Sequence, residues 1–244
     1  MLRSFKKSLK LWSKRIEVAR SDPARRWAGG IDYELDFWEQ WCATKGLEWP
    51  DEYRRRIAAD TPLQPELAEL LGPLPDLELR ILDIGAGPLT IIGKTMTGHR
   101  LSITATDALG EDYARMLERH AIEPIVRTLK CRGEELITRF PPDHFHLAYA
   151  QNSLDHTIDP LSIIRDALRL ARPGGYVVLL HQFREGERAL YDGLHQWNFD
   201  EKDGRPLLWR PGTRFDLKRE LAPMSEVSSQ RAGAHLRIVL KRRG

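Results

Sequence analysis

The sequence predicts an α/β fold built on a doubly wound parallel sheet, and three observations predict it. From Leu77 onward, short β-like runs alternate with segments of helix potential, the pattern of a parallel sheet with crossover helices. One of these runs, Ile81-Leu82-Asp83-Ile84, leads directly into the glycine turn Gly85-Ala86-Gly87. The chain then closes on two β-like segments, 226–230 and 235–241, around Ala232-Gly233, which read as an antiparallel hairpin.

The individual elements follow from local pattern. Phe5, Leu9, Trp12 and Ile16 recur at spacings of four, three and four, one stripe of an amphipathic and strongly basic helix. Such a helix either packs its stripe on the body with its basic face solvated, or meets a membrane surface or an anionic substrate. Ala28-Gly29-Gly30 is expected to break the chain, after which residues 32–45 read as an aromatic-rich helix ended by Gly46. Its aromatic density is that of a core or of a lid over a ligand cleft. Trp49-Pro50-Asp51 starts a short helix through Arg56, and 62–71 gives another, closed by Gly72-Pro73. The β-like runs are 79–84, 102–106, 125–129, 145–150 and 176–181, and helices are expected at 111–120, 134–139 and 161–171. Residues 1–75 therefore form a helical N-terminal cap and residues 76–244 the sheet domain, with an insertion at 185–214.

Composition sets the class. The 244 residues are 41% hydrophobic and 30% charged, an ordinary folded composition, and the length buries a core without staples. No run approaches the roughly 18 apolar residues of a membrane span. Cys42 and Cys131 cannot form a disulfide framework, and the basic N-terminus lacks the apolar stretch of a secretory signal, so a cytoplasmic location is expected. The net charge of +3 is unevenly spread. Residues 1–30 carry nine Lys and Arg against Glu17 and Asp22, a head of +7 on a body of −4. A basic patch interleaved with aromatics does not recur beyond that head, so nucleic acid is not the expected partner.

Two features carry chemistry. The glycine turn lets a ligand approach the backbone at the carboxyl end of the first strand, where open α/β sheets bind ligands, although any tight strand–helix turn uses the same residues. Pro88 suits the first turn of a following helix. It also removes one N–H from that terminus, and Thr90 stands where G-x-G-x-x-G has its third glycine, so a dinucleotide pyrophosphate fits poorly. Asp107, downstream of Gly87 at the tip of the second strand, is placed to accept hydrogen bonds from two ribose hydroxyls.

At this point the chain resembles the class I S-adenosylmethionine-dependent methyltransferases of the small-molecule type. Leu82-Asp83-Ile84-Gly85-Ala86-Gly87 is similar to their first motif and Asp107 to their ribose-binding acid. Phe145-His146-Leu147-Ala148-Tyr149-Ala150 resembles their fourth strand, with His146 in place of an Asp. Leu154-Asp155-His156 with Asp159-Pro160 resembles the segment after it, and Arg172-Pro173-Gly174-Gly175 the turn before their fifth strand. The resemblance covers residues 78–182 and implies a Rossmann-like, seven-stranded, mostly parallel sheet. It implies S-adenosylmethionine as cofactor, met by Asp83, Gly85, Ala86, Gly87, Asp107 and Ala108, with Leu109 beside the adenine and Gln151 and Asn152 at the ammonium group. Leu89 departs from the family's third glycine. Arg132 stands where many members have an acid at the adenine amine, and Glu134 is the nearest replacement.

The candidates for activating an acceptor are His181 and Glu185, at and after the end of the fifth strand, and His195 in the His195-Gln196-Trp197-Asn198-Phe199 run. His156 has a structural role at least as readily as a chemical one. No metal is expected: His144 and His146 share a strand face but no carboxylate or cysteine cluster joins them. A serine hydrolase is not expected either, since the sequence has no G-x-S-x-G elbow. The expected reaction is methyl transfer to a small-molecule acceptor, a sugar, glycan or secondary metabolite, with a hydroxyl favoured. The alternatives are a non-catalytic S-adenosylmethionine-binding scaffold or regulator, an RNA methyltransferase and a nicotinamide-dependent oxidoreductase.

Overall fold

The computed structural model describes residues 2–244, with side chains from residue 8 onward. Four helices come first: α1 (Leu2–Arg20), α2 (Pro23–Thr44), α3 (Pro50–Ile57) and α4 (Pro65–Leu71). The chain continues through β1 (Glu78–Ile84), β2 (Arg100–Asp107), α5 (Gly110–Arg119), β3 (Thr128–Lys130), α6 (Leu136–Arg139), β4 (Phe145–Gln151), α7 (Pro160–Leu170) and β5 (Ala171–Gln182). It ends with α8 (Glu185–Arg188), β6 (Asn198–Lys202), β7 (Arg205–Arg210), β8 (Thr213–Asp216), α9 (Leu217–Leu221), β9 (Ser225–Ala232) and β10 (His235–Arg242).

Among the described residues, seven strands make one sheet in the order β3-β2-β1-β4-β5-β10-β9. The pairs from β3 to β5 are parallel, and β10 pairs antiparallel with both β5 and β9. This is the Rossmann-like sheet with a closing hairpin that the sequence predicts. The order reverses between β1 and β4, and ligands of open α/β sheets sit beyond the carboxyl ends of the strands at such a point. Alternation along the strands builds two cores. Leu79 and Ile81 of β1, Leu147 and Tyr149 of β4 and Val178 of β5 pack with α4 on one face. Leu82, Ile84, Ala148, Ala150, Val177 and Leu179 pack with α7 on the other. Both faces are covered, so these strands read as nearly continuous apolar runs.

Arg172-Pro173-Gly174-Gly175 lies within β5, at a register shift against β4, and not in a turn before the strand, and β3 begins at Thr128 where the sequence predicts a strand over 125–129. The structure departs from the sequence reading at three further places. Ala28-Gly29-Gly30 does not break the chain. Asp22 caps α2 by accepting from the Arg25 N–H, Pro23 occupies the first turn, and the helix runs on to Thr44. The glycine at position 30 serves packing: a Cβ there would lie 2.6 Å from Leu194 Cδ2 and 2.9 Å from the Gly193 carbonyl. Second, no helix follows the glycine turn. Residues 85–99 cross from β1 to β2 as an irregular segment that buries Ile92 in the α4-side core. Pro88 and the buried Thr90–Asp83 hydrogen bond (2.5 Å) hold it, and α4 covers the face a crossover helix would take. Third, the described α1 stripe is only partly covered, with Ile16 half-buried. Leu9 and Trp12 are 51% and 64% exposed, whereas Val18 is buried, so the helix presents a different face to the body. The part of the stripe at Phe5 lies outside the described side chains.

Residues 185–216, beyond the 185–214 bounds expected, form α8 and a separate antiparallel sheet, β6-β7-β8, attached to the end of β5 by the Phe183–Phe199 bridge. Among the described residues no helix is long and apolar enough to cross a membrane.

Candidate active site

One cavity of about 640 Å³ lies where the cap meets the carboxyl ends of β1, β2 and β4. Its floor is the turn after β1. Gly85 and Gly87 have φ of +70° and +66°, which a side chain rarely tolerates. A Cβ at residue 85 would strike Ser153 at 2.3 Å, and one at residue 87 would press on the Trp38 ring at 2.9 Å. The backbone is bare here so that neighbours can come close, the feature a cofactor-cradling turn needs.

At the edge of this floor Asp107 closes β2. Its Oδ2 accepts from the Gly87 N–H at 3.1 Å and its Oδ1 from the Leu109 N–H at 3.0 Å. These bonds fix the carboxylate in plane and leave lone pairs on both oxygens for hydroxyl donors. Burial pushes its carboxyl up to about 6, against the pull of the two amides. Asp83 lies deeper, also on the cavity wall, and burial outweighs its Thr90 hydrogen bond to push it up to about 6.

The remaining cofactor candidates line the same cavity. Glu134 Oε1 accepts from the Ile158 N–H at 3.1 Å, which ties it to the segment after β4. Arg132 stacks its guanidinium 4.4 Å over the Trp27 ring. Gln151 Oε1 accepts from the Tyr149 hydroxyl at 2.6 Å, and Asn152 Oδ1 accepts from the Gln182 N–H at 2.9 Å. Ala86 and Ala108 supply apolar wall.

The cap forms the roof. Tyr33, Glu34, Phe37, Trp38 and Trp41 project from α2, and Glu52 and Arg56 from α3. Arg56 joins roof to floor. It donates to the carbonyl oxygens of Ala86 (3.4 Å) and Leu89 and pairs with Glu52 at 2.7 Å. Its guanidinium also lies 5.6 Å and 5.7 Å from the Trp38 and Trp41 ring centres. Nothing in the sequence marks Arg56, because its partners are backbone oxygens far along the chain.

At the other end of the cavity, Asp155 gathers three histidines. Burial works against its charge, but His156, His195 and His181 outweigh it and hold the carboxyl below the usual carboxylate range. His195 Nδ1 lies 2.7 Å from Asp155 Oδ2, the length of a charge-assisted hydrogen bond. A carboxylate only accepts, so Nδ1 carries the proton and Nε2 is the free basic nitrogen. Burial alone lowers the His195 pKa, but the Asp155 hydrogen bond and charge, with Glu185 and Glu34, give a net rise. The pairing is built in by the backbone as well, since the Gln196 and Trp197 N–H groups both donate to the Asp155 carbonyl. His156 Nε2 stands 3.1 Å from His195 Nδ1 and 3.5 Å from Asp155 Oδ2, with Glu34 3.8 Å from its other nitrogen. The ligand-capable atoms of Asp155, His156 and His195 all lie within 4.8 Å of one another, a donor cluster compact enough for a cation that the sequence reading did not find.

The three sequence candidates separate. His195 and Glu185 line the cavity. His181 does not. It is 1% exposed, stacked 3.9 Å from Phe199 and 3.8 Å behind Asp155, with neither ring nitrogen hydrogen-bonded. The strand-end position that recommended it turns its ring under the insertion sheet instead of into the cleft. His144 and His146 lie at the far end of β4, where His146 Nδ1 accepts from the Arg80 N–H at 3.0 Å, well apart from the cavity lining.

A model of the methyltransferase domain family matches residues 51–221. The chain belongs to that family. Its sheet is the Rossmann-like sheet of the class I enzymes, whose methyl donor is S-adenosylmethionine. A curated relative, the ubiquinone biosynthesis O-methyltransferase of Yersinia pestis (strain Pestoides F), is 28% identical over 101 residues, 41% of each chain. The chain thus spans about two-fifths of the length of the curated relatives it matches. Among solved structures it is similar to the Burkholderia thailandensis 1,6-didemethyltoxoflavin-N1-methyltransferase with bound 1,6-didemethyltoxoflavin and S-adenosylhomocysteine. That likeness has a TM-score of 0.50 and 21% identity, covering 92% of both chains. It is also similar to the CurJ carbon methyltransferase, with a TM-score of 0.51 and 22% identity over 71% of this chain and 51% of that one. The bare glycine turn and the oriented Asp107 carboxylate of this methyltransferase domain fit the cofactor of the class.

Proposed function

We propose that this methyltransferase domain transfers a methyl group to an oxygen of a small-molecule acceptor, with His195 receiving the acceptor's proton. The observation that carries this reading is the Asp155–His195 pair, which leaves the second imidazole nitrogen free to take a proton on a residue that lines the same cavity as the glycine turn. In this reading Asp107 holds the ribose hydroxyls, Glu134 faces the adenine side, and Gln151 and Asn152 meet the methionine end. The Trp38, Trp41 and Phe37 roof keeps water from the reacting atoms.

When bound, the sulfonium supplies an electrophilic methyl with a neutral thioether as leaving group, so the chain itself needs to orient and deprotonate. As the acceptor oxygen displaced the thioether, His195 Nε2 would take the proton that this oxygen loses. Asp155 stabilises the imidazolium that results. The O-methyltransferase name of the curated relative agrees with an oxygen acceptor. The fold does not select it, since nitrogen and carbon methyltransferases share the same sheet.

The test is methyl transfer from labelled S-adenosylmethionine to a panel of phenols, hydroxy acids and sugars by the wild type and His195→Gln. The variant is expected to lose about 10²–10⁴-fold in rate at unchanged cofactor affinity. Equal rates would remove His195 from the mechanism.

A further inference from the structure

Helix α1 carries Arg3, Lys6, Lys7, Lys10, Lys14, Arg15 and Arg20 against a single acid, Glu17. On its described outer face, Leu9 and Trp12 stand in solvent with the exposed Lys10. Trp12, Arg15 and Ala19 follow at helical spacing, and Gly212 in the β7–β8 turn sits against Ala19. The helix face thus continues into a shallow pocket formed by Arg15 and residues 209–214. Three arginines contribute to it. Arg15 is paired with Glu187. Arg210 is more than nine-tenths buried, donates through Nη2 to the Val18 carbonyl, and keeps Nη1 without a hydrogen-bond partner. Arg214 is exposed and has no carboxylate partner among the described residues.

A tryptophan and a leucine exposed among cations is the make-up of a helix that lies in the plane of a bilayer interface, and an arginine pocket beside it suits phosphate. We propose that the outer face of α1 and the Arg15–Arg210–Arg214 pocket form a docking surface for an anionic phospholipid bilayer. Trp12 and Leu9 enter the headgroup layer, and the exposed Arg214 guanidinium and Lys10 meet lipid phosphates. The same helix braces the acceptor wall, through Lys14 to Asp192 at 3.2 Å and Arg15 to Glu187, in the segment that carries His195. Docking therefore acts on the acceptor end of the cavity, and this part of the inference rests on the oxygen-transfer reading, whereas bilayer binding does not.

The test is co-sedimentation of the full chain with vesicles of phosphatidylcholine alone and of phosphatidylcholine mixed with phosphatidylglycerol. Binding is expected only to the mixed vesicles and to weaken as salt rises. Arg214→Glu should lower partitioning about tenfold. The double variant Leu9→Ser, Trp12→Ser should lower it comparably, and Leu77→Ser, at an exposed leucine elsewhere, should leave it unchanged. Thermal unfolding of each variant confirms that it is folded, and Arg214→Glu, in an exposed turn, serves if the double variant is not. No binding to the mixed vesicles, equal binding to both kinds, or indifference to Trp12 and Arg214 would overturn the proposal. So would saturable binding of glycerol phosphate or of single-stranded RNA by a chain that ignores vesicles, either of which would assign the pocket to a soluble anion.

Discussion

His181 and His195 both lean on Asp155, yet their surroundings give them opposite chemistry. His195 shares a short hydrogen bond with the carboxylate and its pKa is raised above 6.5. As a base it is active when neutral, so kcat/KM is expected to climb with pH through a midpoint above 6.5, and His195→Gln should flatten that limb. Burial lowers the His181 pKa to about 4, although Asp155 pulls the other way. The unfolded chain binds that proton near 6.5 and the folded chain does not until about 4. Stability is therefore complete above pH 6.5 and falls as pH drops toward 4, by about 3 kcal/mol if this residue acts alone. Denaturant melts of wild type and His181→Phe across that window check it, with the variant expected to show the weaker dependence. Asp107→Ala should weaken S-adenosylmethionine binding on the order of 100-fold, the loss of two hydroxyl bonds to a charged group, read by calorimetry. With a proton between Asp155 and His195, a chelator is expected to leave methyl transfer unchanged. A loss that zinc or manganese restores would assign the Asp155–His156–His195 cluster to a cation.

At the scale of elements, α2 turns on two adjacent glycines with different duties. Residue 29 faces open space, and residue 30 lies against Gly193 and Leu194. Helix propensity alone favours alanine at both. Gly29→Ala is expected to stabilise by about 0.5–1 kcal/mol. Gly30→Ala should destabilise by about 1–3 kcal/mol, because the added methyl overpacks the joint with the acceptor segment. Thermal melts of the two variants decide between propensity and packing. This is also where the sequence reading failed most clearly. Two glycines look like a break when only local preference is weighed, and the partner that makes one of them necessary lies in the distant insertion segment. The missing crossover helix has a similar origin. Pro88 is compatible with a helix start, but Thr90 turns to cap the buried Asp83 instead, and α4 already occupies the sheet face.

For the whole molecule, the legible parts are those whose physics is local. The glycine turn, the acid at the tip of β2 and the closing hairpin are each contained in a few consecutive residues, and the sheet follows from them. The Asp155 end of the cavity was only half legible. His195 and Glu185 stood out by type, but Asp155, which orients His195 from well upstream in the chain, read as part of a motif without a task of its own. Arg56 and the α2 roof were invisible as site residues, because their roles come from how the cap folds back over the sheet. The proposed reaction needs a cavity lined by residues from Trp27 to His235, in which the glycine turn would receive the methyl donor and His195 the proton. The most direct measurement is NMR of the products formed when the chain turns over ¹³C-methyl S-adenosylmethionine with the hydroxylated acceptor panel. The account predicts a new methoxy carbon that is strongly reduced with His195→Gln; a methyl on nitrogen or carbon, or a methoxy product formed at full rate by that variant, would contradict it.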